Sequence, residues 1–201
     1  MTNSLQQYSD EMANAIEKAG RSIVTIDARN HVPATGIAWS TDGEIVTADH
    51  IVQRDENINV TLPDGSTYEA KILGRDPSSD LVLLKVEAKL TPAEWADSVK
   101  IGNMVFAVGR PDGLMASWGI VSYVGGAVRG RRQLEAYIQT DVVMLPGFSG
   151  GPLVDASGRV AGINSSALGR DASVALPLSA VKPVVESLKK HGHVKRGFLG
   201  V

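Results

Sequence analysis

Apolar residues change their spacing twice along this chain. Over residues 4–19 they recur at helical intervals: Leu5, Tyr8, Met12 and Ile16 share one stripe, Ser4 and Gln7 have capping-box spacing, and Gly20 stands where a helix would stop. From residue 22 the texture becomes short runs rich in Ile, Val, Leu and Thr, broken by turn signals such as Thr41-Asp42-Gly43 and Pro63-Asp64-Gly65. Strands are predicted at 22–26, 36–40, 44–47, 57–62, 68–73 and 81–86. Residues 88–100 have less pattern and read as a linker, in which Thr91 and Pro92 could cap one helical turn. A second strand set follows at 104–108, 118–124, 134–139, 152–154, 160–164 and 174–176. A closing helix is expected from Leu178 to Lys190, with Lys189 and Lys190 in its last turn and Gly192 just past it. Pro183 fits that helix only if it lies in the first turn.

This pattern implies an all-β protein of two similar units, 21–96 and 97–195, with residues 1–20 as an N-terminal helix and a second helix ending the second unit. Two such units enclose a cleft, a frequent place for ligands and active sites.

Composition narrows the function classes. The 201 residues are 43% hydrophobic and 21% charged, and the net charge of −2 gives no global field toward nucleic acid or anionic membrane. The basic cluster Arg129, Arg131 and Arg132 flanks Gly130 and reads as a solvated hairpin tip, so no nucleic-acid partner is expected. With no cysteine, disulfides, thiolate metal sites and a cysteine nucleophile are excluded. No apolar run is long enough to span a membrane, and the first residues lack the basic-then-apolar order of a secretory leader. The chain is therefore expected to stay in the cytoplasm, or to have its leader elsewhere.

The chemistry centres on Gly147-Phe148-Ser149-Gly150-Gly151-Pro152-Leu153. A serine flanked by glycines is how a tight loop presents a hydroxyl nucleophile, although a plain glycine-rich turn has the same composition. Gly147 would let its own N–H and that of Ser149 point at one spot, an oxyanion hole. A serine nucleophile needs a base and a group to orient it. Of the four histidines, His191 and His193 sit in a polar tail and His31 in a loop. His50 ends an apolar strand, where buried neighbours could hold its ring. Two acids compete for the orienting role: Asp80 directly precedes the strand Leu81–Leu84, whereas Asp76, before Pro77, suits the start of a turn. The loop also fits the G-x-S-x-G elbow of α/β-hydrolases, but strand and turn follow Ser149 where that fold needs a helix. The order His50, Asp80, Ser149, divided between the two units, is the chymotrypsin order.

Several blocks in sequence carry a wider resemblance: TADHIV (47–52), DPSSDLVLLKV (76–86), IGNMVFAVGRPDGL (101–114), WGIVSYV (118–124), IQTDVVMLPGFSGGPLVDASGRVAGIN (138–164) and RGFLGV (196–201). Together they resemble the protease domain of the HtrA (Deg) serine proteases, trypsin-like enzymes of protein quality control. The resemblance implies a chymotrypsin-like double β-barrel with an N-terminal and a C-terminal helix. It implies His50 as general base, Asp80 as its orienting carboxylate, Ser149 as nucleophile, and the N–H groups of Gly147 and Ser149 as oxyanion hole. It further implies a substrate site around Met144, Asn164, Ser165, Ser166 and Ala167. Met144 and Ala167 would line an apolar specificity pocket suited to aliphatic residues, with no preference for Lys or Arg. Unfolded protein or peptides would be the substrates, with no metal, cofactor or ATP. A non-catalytic holdase using the same cleft is the alternative. The N-terminal segment would build a homotrimer, the compartment would be the cell envelope or periplasm, and residues 196–201 would lead into a PDZ domain that the chain lacks, as in a truncated or naturally short form. Phe148 departs from the family's usual asparagine and could alter how the 144–148 loop switches. Asp49 and Val82 replace asparagine and alanine, with little expected to follow. No aspartate adjoins Ser149, so activation by N-terminal cleavage is not expected.

Overall fold

The computed structural model describes residues 4–30, 32–129, 132–169 and 172–194. A helix, α1 (Ser4–Gly20), leads into β1 (Ile23–Asp27), β2 (Ala34–Ala38), β3 (Glu44–Ala48), β4 (Ile58–Thr61), β5 (Thr67–Asp76) and β6 (Leu81–Lys85). These close into one barrel, in the order β1-β2-β3-β6-β5-β4. Then come β7 (Met104–Gly109), β8 (Met115–Arg129), β9 (Arg132–Thr140), β10 (Pro152–Asp155), β11 (Val160–Ser165) and β12 (Ser173–Pro177), before α2 (Leu178–His191). They close a second barrel, ordered β10-β11-β12-β9-β8-β7. Every strand expected from the hydrophobic pattern is present. The chymotrypsin-like double barrel is the observed fold.

Each barrel fills its own interior. Val24, Ile26, Ile45, Ile58, Val60, Val82 and Leu84 pack inside the first, and Val105, Ala107, Val121, Ile138, Leu153 and Ala175 inside the second. A third apolar layer lies between them. Ile37, Val46, Leu81 and Leu83 from the first barrel meet Val160, Ile163 and Leu176 from the second, capped by Val181, Val185 and Leu188 of α2. Strands with both faces buried read as continuous apolar runs, which is why β6 is Leu-Val-Leu-Leu rather than alternating.

Several local expectations are corrected. Ser4 is already helical, and the Gln7 side chain donates forward to Glu11 instead of back to the helix start, so no capping box forms. Gly20 does not stop α1 by a left-handed turn. It is buried, and a Cβ there would come within 2.9 Å of Leu114. Of the predicted stripe, Met12 and Ile16 pack with Ala15 and Ala19 onto Phe106, Val108 and Val154, whereas Leu5 and Tyr8 are exposed. Residues 88–100 contain no helical turn at Thr91. They run extended as a strap, with Ala93 N–H donating to Ala38 O on the first barrel and Ala96 N–H to Val160 O on the second. Pro183 is the sixth residue of α2, beyond the first turn. The helix persists because Val181, Val185 and Leu188 are fully buried on it, and tertiary packing outweighs the one backbone bond a proline removes. Gly192 closes α2 in the left-handed conformation, as expected. The tip of the β8–β9 hairpin (residues 130 and 131) and residues 195–201, which include RGFLGV, lie outside the described residues.

Candidate active site

Strand β3 is wholly buried and runs straight into a 3-10 turn, Asp49–Ile51, that carries His50. That turn is fastened from two sides. Asp49 N–H donates to Asp80 O at 3.0 Å. The buried Asp49 carboxylate accepts Arg75 Nε at 2.7 Å, and the same guanidinium donates to Val52 O and Asp55. Asp49 therefore does more than its mild departure from asparagine suggested: with Arg75 it braces the histidine turn.

Asp80 arrives from the opposite direction. Asp76 closes the preceding turn by accepting from the hydroxyls of Ser78 and Ser79, the role its place before a proline indicated. Asp80 itself adopts φ +59°, a left-handed backbone that aspartate tolerates better than most residues. Its carboxylate is 2% exposed and accepts His50 N–H at 2.9 Å and His50 Nδ1 at 2.8 Å. The Ser165 hydroxyl donates to it as well. Burial alone would raise the pKa of Asp80. The hydrogen bonds from His50 and Ser165 outweigh burial and hold it below the ordinary carboxylate range. An ionised carboxylate at Nδ1 fixes the tautomer with its lone pair on Nε2, the nitrogen that lies 3.3 Å from the Ser166 hydroxyl.

Ser149 lies between β9 and β10, on a loop that the first barrel holds down. Thr35 of β2 is completely buried, and its hydroxyl donates to Gly147 O at 2.7 Å while accepting from Arg110 N–H. Thr35 N–H donates to Ser149 O, and Thr35 O accepts from Thr47. Gly147 takes φ +87° and Gly150 φ +82°, and a Cβ at Gly150 would stand 1.9 Å from the Thr47 hydroxyl oxygen. Among the described residues, neither Gly147 N–H nor Ser149 N–H donates a hydrogen bond to the protein, so both remain available to an oxyanion. The Phe148 side chain turns away from the cleft. It is fully buried in the second barrel against Gly109, where a Cβ would meet the ring at 2.5 Å.

His50 and Ser149 are brought together with Ser166 between them. Ser149 Oγ lies 2.9 Å from Ser166 Oγ, which lies 3.3 Å from His50 Nε2. Ser166 was expected only as a substrate contact. Asn164 and Ser165, expected likewise, are buried: Asn164 donates from its amide to Pro152 O, and its backbone bonds Gly150 and Gly151. Asn164 serves the Ser149 loop and Ser165 serves Asp80, which removes their side chains from the cleft. Met144 and Ser166 line a hollow of about 440 Å³ with Thr140, Asp141, Val142 and Ser173, and Ala167 is not among its walls. A second hollow of about 420 Å³ holds His50, Ser149 and Gly147, with Arg29 and Val32 opposite. Thr35 and Arg75 escaped the sequence reading because their partners are remote in the chain. His191 and His193 are exposed, and His31 lies outside the described residues. Among the described residues, no three His, Asp or Glu side chains cluster in a way that could hold a metal.

Residues 34–163 match the trypsin-like peptidase domain family. A probable periplasmic serine endoprotease, DegP-like, of Chlamydia muridarum is 39% identical over 188 residues, which cover 86% of this chain and 37% of that protein. A relative of the same description from Pseudomonas fulva is 42% identical over 177 residues, covering 83% and 37%. The chain thus spans little more than a third of the length of these curated relatives. Among solved structures, the HtrA-type protease AlgW with tripeptide superposes with a TM-score of 0.82 at 32% identity, covering 93% of this chain and 66% of that one. Deg5 superposes at 0.80 with 28% identity, covering 92% and 97%. Both the sequence match and the double-barrel architecture place the chain in the trypsin-like peptidase family, among its HtrA-type members.

Proposed function

We propose that the chain is a serine endopeptidase of the HtrA type, with Ser149 as nucleophile, His50 as general base and Asp80 as its orienting carboxylate. The observation that carries this reading is the meeting of Asp80, His50 and Ser149 from both barrels in one hollow, with His50 Nδ1 held at 2.8 Å from Asp80 and Nε2 linked to Ser149 through the Ser166 hydroxyl. In the reaction, Ser149 Oγ bonds to the scissile carbonyl carbon while His50 takes its proton. The carbonyl oxygen moves into the hole formed by Gly147 and Ser149 N–H. His50 then returns the proton to the leaving amine, and water releases the acyl-enzyme by the same steps. No ATP is needed, because acyl transfer from a peptide is driven by its hydrolysis.

The hollow at Met144 and Ser166 has apolar Val142, Met144 and Ala172 walls beside Asp141, whose carboxylate is engaged by Ile120 N–H at 2.6 Å, and the apolar walls suit a small or medium aliphatic residue before the cut. Substrate would lie extended across the cleft, as an unfolded segment does more readily than a folded one. The relatives are described as periplasmic, which supports a cell-envelope site of action. Assembly into a homotrimer is supported by an apolar surface. Leu5, Tyr8, Trp118 and Ile120 are all exposed, and Tyr8 reaches Met104, which pairs with Ile120. Among the described residues no helix is long and apolar enough to cross a membrane.

One observation favours a second reading, in which the cleft grips chains without cutting them: the Ser166 hydroxyl stands between nucleophile and base. Intact-mass analysis after treatment with a fluorophosphonate separates the two. A single adduct on the wild type and none on Ser149→Ala supports the peptidase. A folded wild type that takes no adduct supports the holdase.

A further inference from the structure

We propose that Arg29 sets specificity on the leaving-group side of the cut, taking the carboxylate of an Asp or Glu at the first or second residue after the scissile bond. This rests on the endopeptidase reading above and adds a substrate feature to it. The loop between β1 and β2 lies directly against the oxyanion loop: a Cβ at Gly147 would stand 2.7 Å from Pro33 O. Arg29 and Val32 from that loop form the wall of the catalytic hollow facing His50, Ser149 and Gly147.

The direction of the substrate follows from the other walls. With the acyl carbon on Ser149 and its oxygen at Gly147 N–H, the side chain before the cut enters the Met144–Ser173 hollow. The leaving amine must sit at His50 Nε2 to collect its proton. The same hollow is lined by Met144, Leu145, Pro146 and Ser166; Met144 and Ser166 also line the pocket before the cut and Leu145 and Pro146 adjoin Met144, which leaves Arg29 and Val32 for the chain after it.

Arg29 is suited to a ligand there. It is half-buried, and Nε is tied to Val32 O at 2.8 Å, which sets the plane of the guanidinium. Among the described residues it forms no ion pair, whereas nearby Asp27 is already held by Arg54. None of the residues lining the hollow is acidic. A partly desolvated cation without a counter-charge, with its terminal N–H groups still to be engaged, favours a fork-shaped anion. An acidic side chain offers that anion. So does the terminal carboxylate of a short peptide, and the test separates the two.

The experiment measures kcat/KM on internally quenched peptides with one aliphatic residue before the cut and amidated C-termini. Glu or Gln is placed at the first or second position after the cut. A further Gln peptide ends there in a free carboxylate. The wild type is expected to favour Glu over Gln by about five-fold, a ratio that shrinks as salt is added. In Arg29→Gln the ratio falls to near one, Arg29→Lys retains part of it, and Arg29→Glu reverses it toward a Lys peptide. A wild-type ratio near one, or a ratio untouched in Arg29→Gln, overturns the assignment. Preference confined to the free-carboxylate peptide overturns it too, in favour of chain-end recognition. If no peptide is cut and the fluorophosphonate forms no adduct, the peptidase reading itself has failed and this inference falls with it.

Discussion

The Thr35 hydroxyl donates to the Gly147 carbonyl at 2.7 Å, so a side chain of one barrel holds the loop that carries Ser149 of the other. Thr35→Val keeps the shape but orphans two buried backbone groups, Gly147 O and Arg110 N–H. Each costs about 1–3 kcal/mol when left without a partner. The variant should melt earlier and label with fluorophosphonate far more slowly than the wild type, and Thr35→Ser should restore both. Normal labelling by a folded Thr35→Val would show that the loop holds its shape without this tie.

The Phe148 ring locks into the notch that Gly109 leaves, 2.5 Å from where a Cβ would be. Gly109 has an ordinary backbone, so Gly109→Ala acts only by pushing the ring. Overpacking of this kind costs about 1–3 kcal/mol. Displacing Phe148 displaces its neighbours Gly147 and Ser149, so the variant should lose kcat by a larger factor than its stability loss alone explains. Equal kcat at a lowered melting temperature would confine Phe148 to packing. Phe148 in place of the family asparagine had suggested an altered switch in the 144–148 loop. Burial of the ring makes it an anchor.

His50 Nε2 has one lone pair, and the Ser166 hydroxyl is placed to use it. Ser166→Ala should leave that lone pair to Ser149 and speed fluorophosphonate labelling by roughly two- to ten-fold, the scale of one hydrogen bond. Slower labelling would make Ser166 a proton relay instead.

Asp80 has its pKa held down in the folded state. The stability it contributes is fully present above the ordinary carboxylate range and is lost as pH falls through the folded value. Asp80→Asn can keep the left-handed backbone but not the charge. Thermal melts of both proteins between neutral and acid pH should show the wild-type advantage shrinking in acid. At neutral pH the variant should lose on the order of 10⁴ in kcat, as triads do when the orienting charge goes. A stability gap independent of pH would contradict the charge-based account.

The strands were legible because each barrel is built locally, from runs of β-branched and aliphatic residues punctuated by Gly, Pro and Asp. The histidine, aspartate and serine were legible because each stands at a strand end or in a glycine-rich loop. What binds them was not. Thr35 and Gly147 are 112 residues apart, and Ser166 and His50 are 116 apart, so no local pattern relates them. Ser165 was placed at the substrate site by the family resemblance. Only the fold shows it turned inward to Asp80. The expectation that Pro183 fits only in a first turn left out the weight of the apolar face beneath it.

The strap at residues 88–100 and the apolar layer between the barrels have a further consequence for a site whose proposed catalytic groups come from both. With Trp39 and Trp95 in edge-to-face contact across it, the strap joins the halves through the same dry interior that supports each. Halves sharing such a layer are expected to melt in one cooperative step, which a single calorimetric transition would show. A sample warmed toward its transition would contain only whole catalysts and unfolded chains, with no population of half-open, sluggish molecules. Heat would act on this protease as a fuse rather than a dimmer.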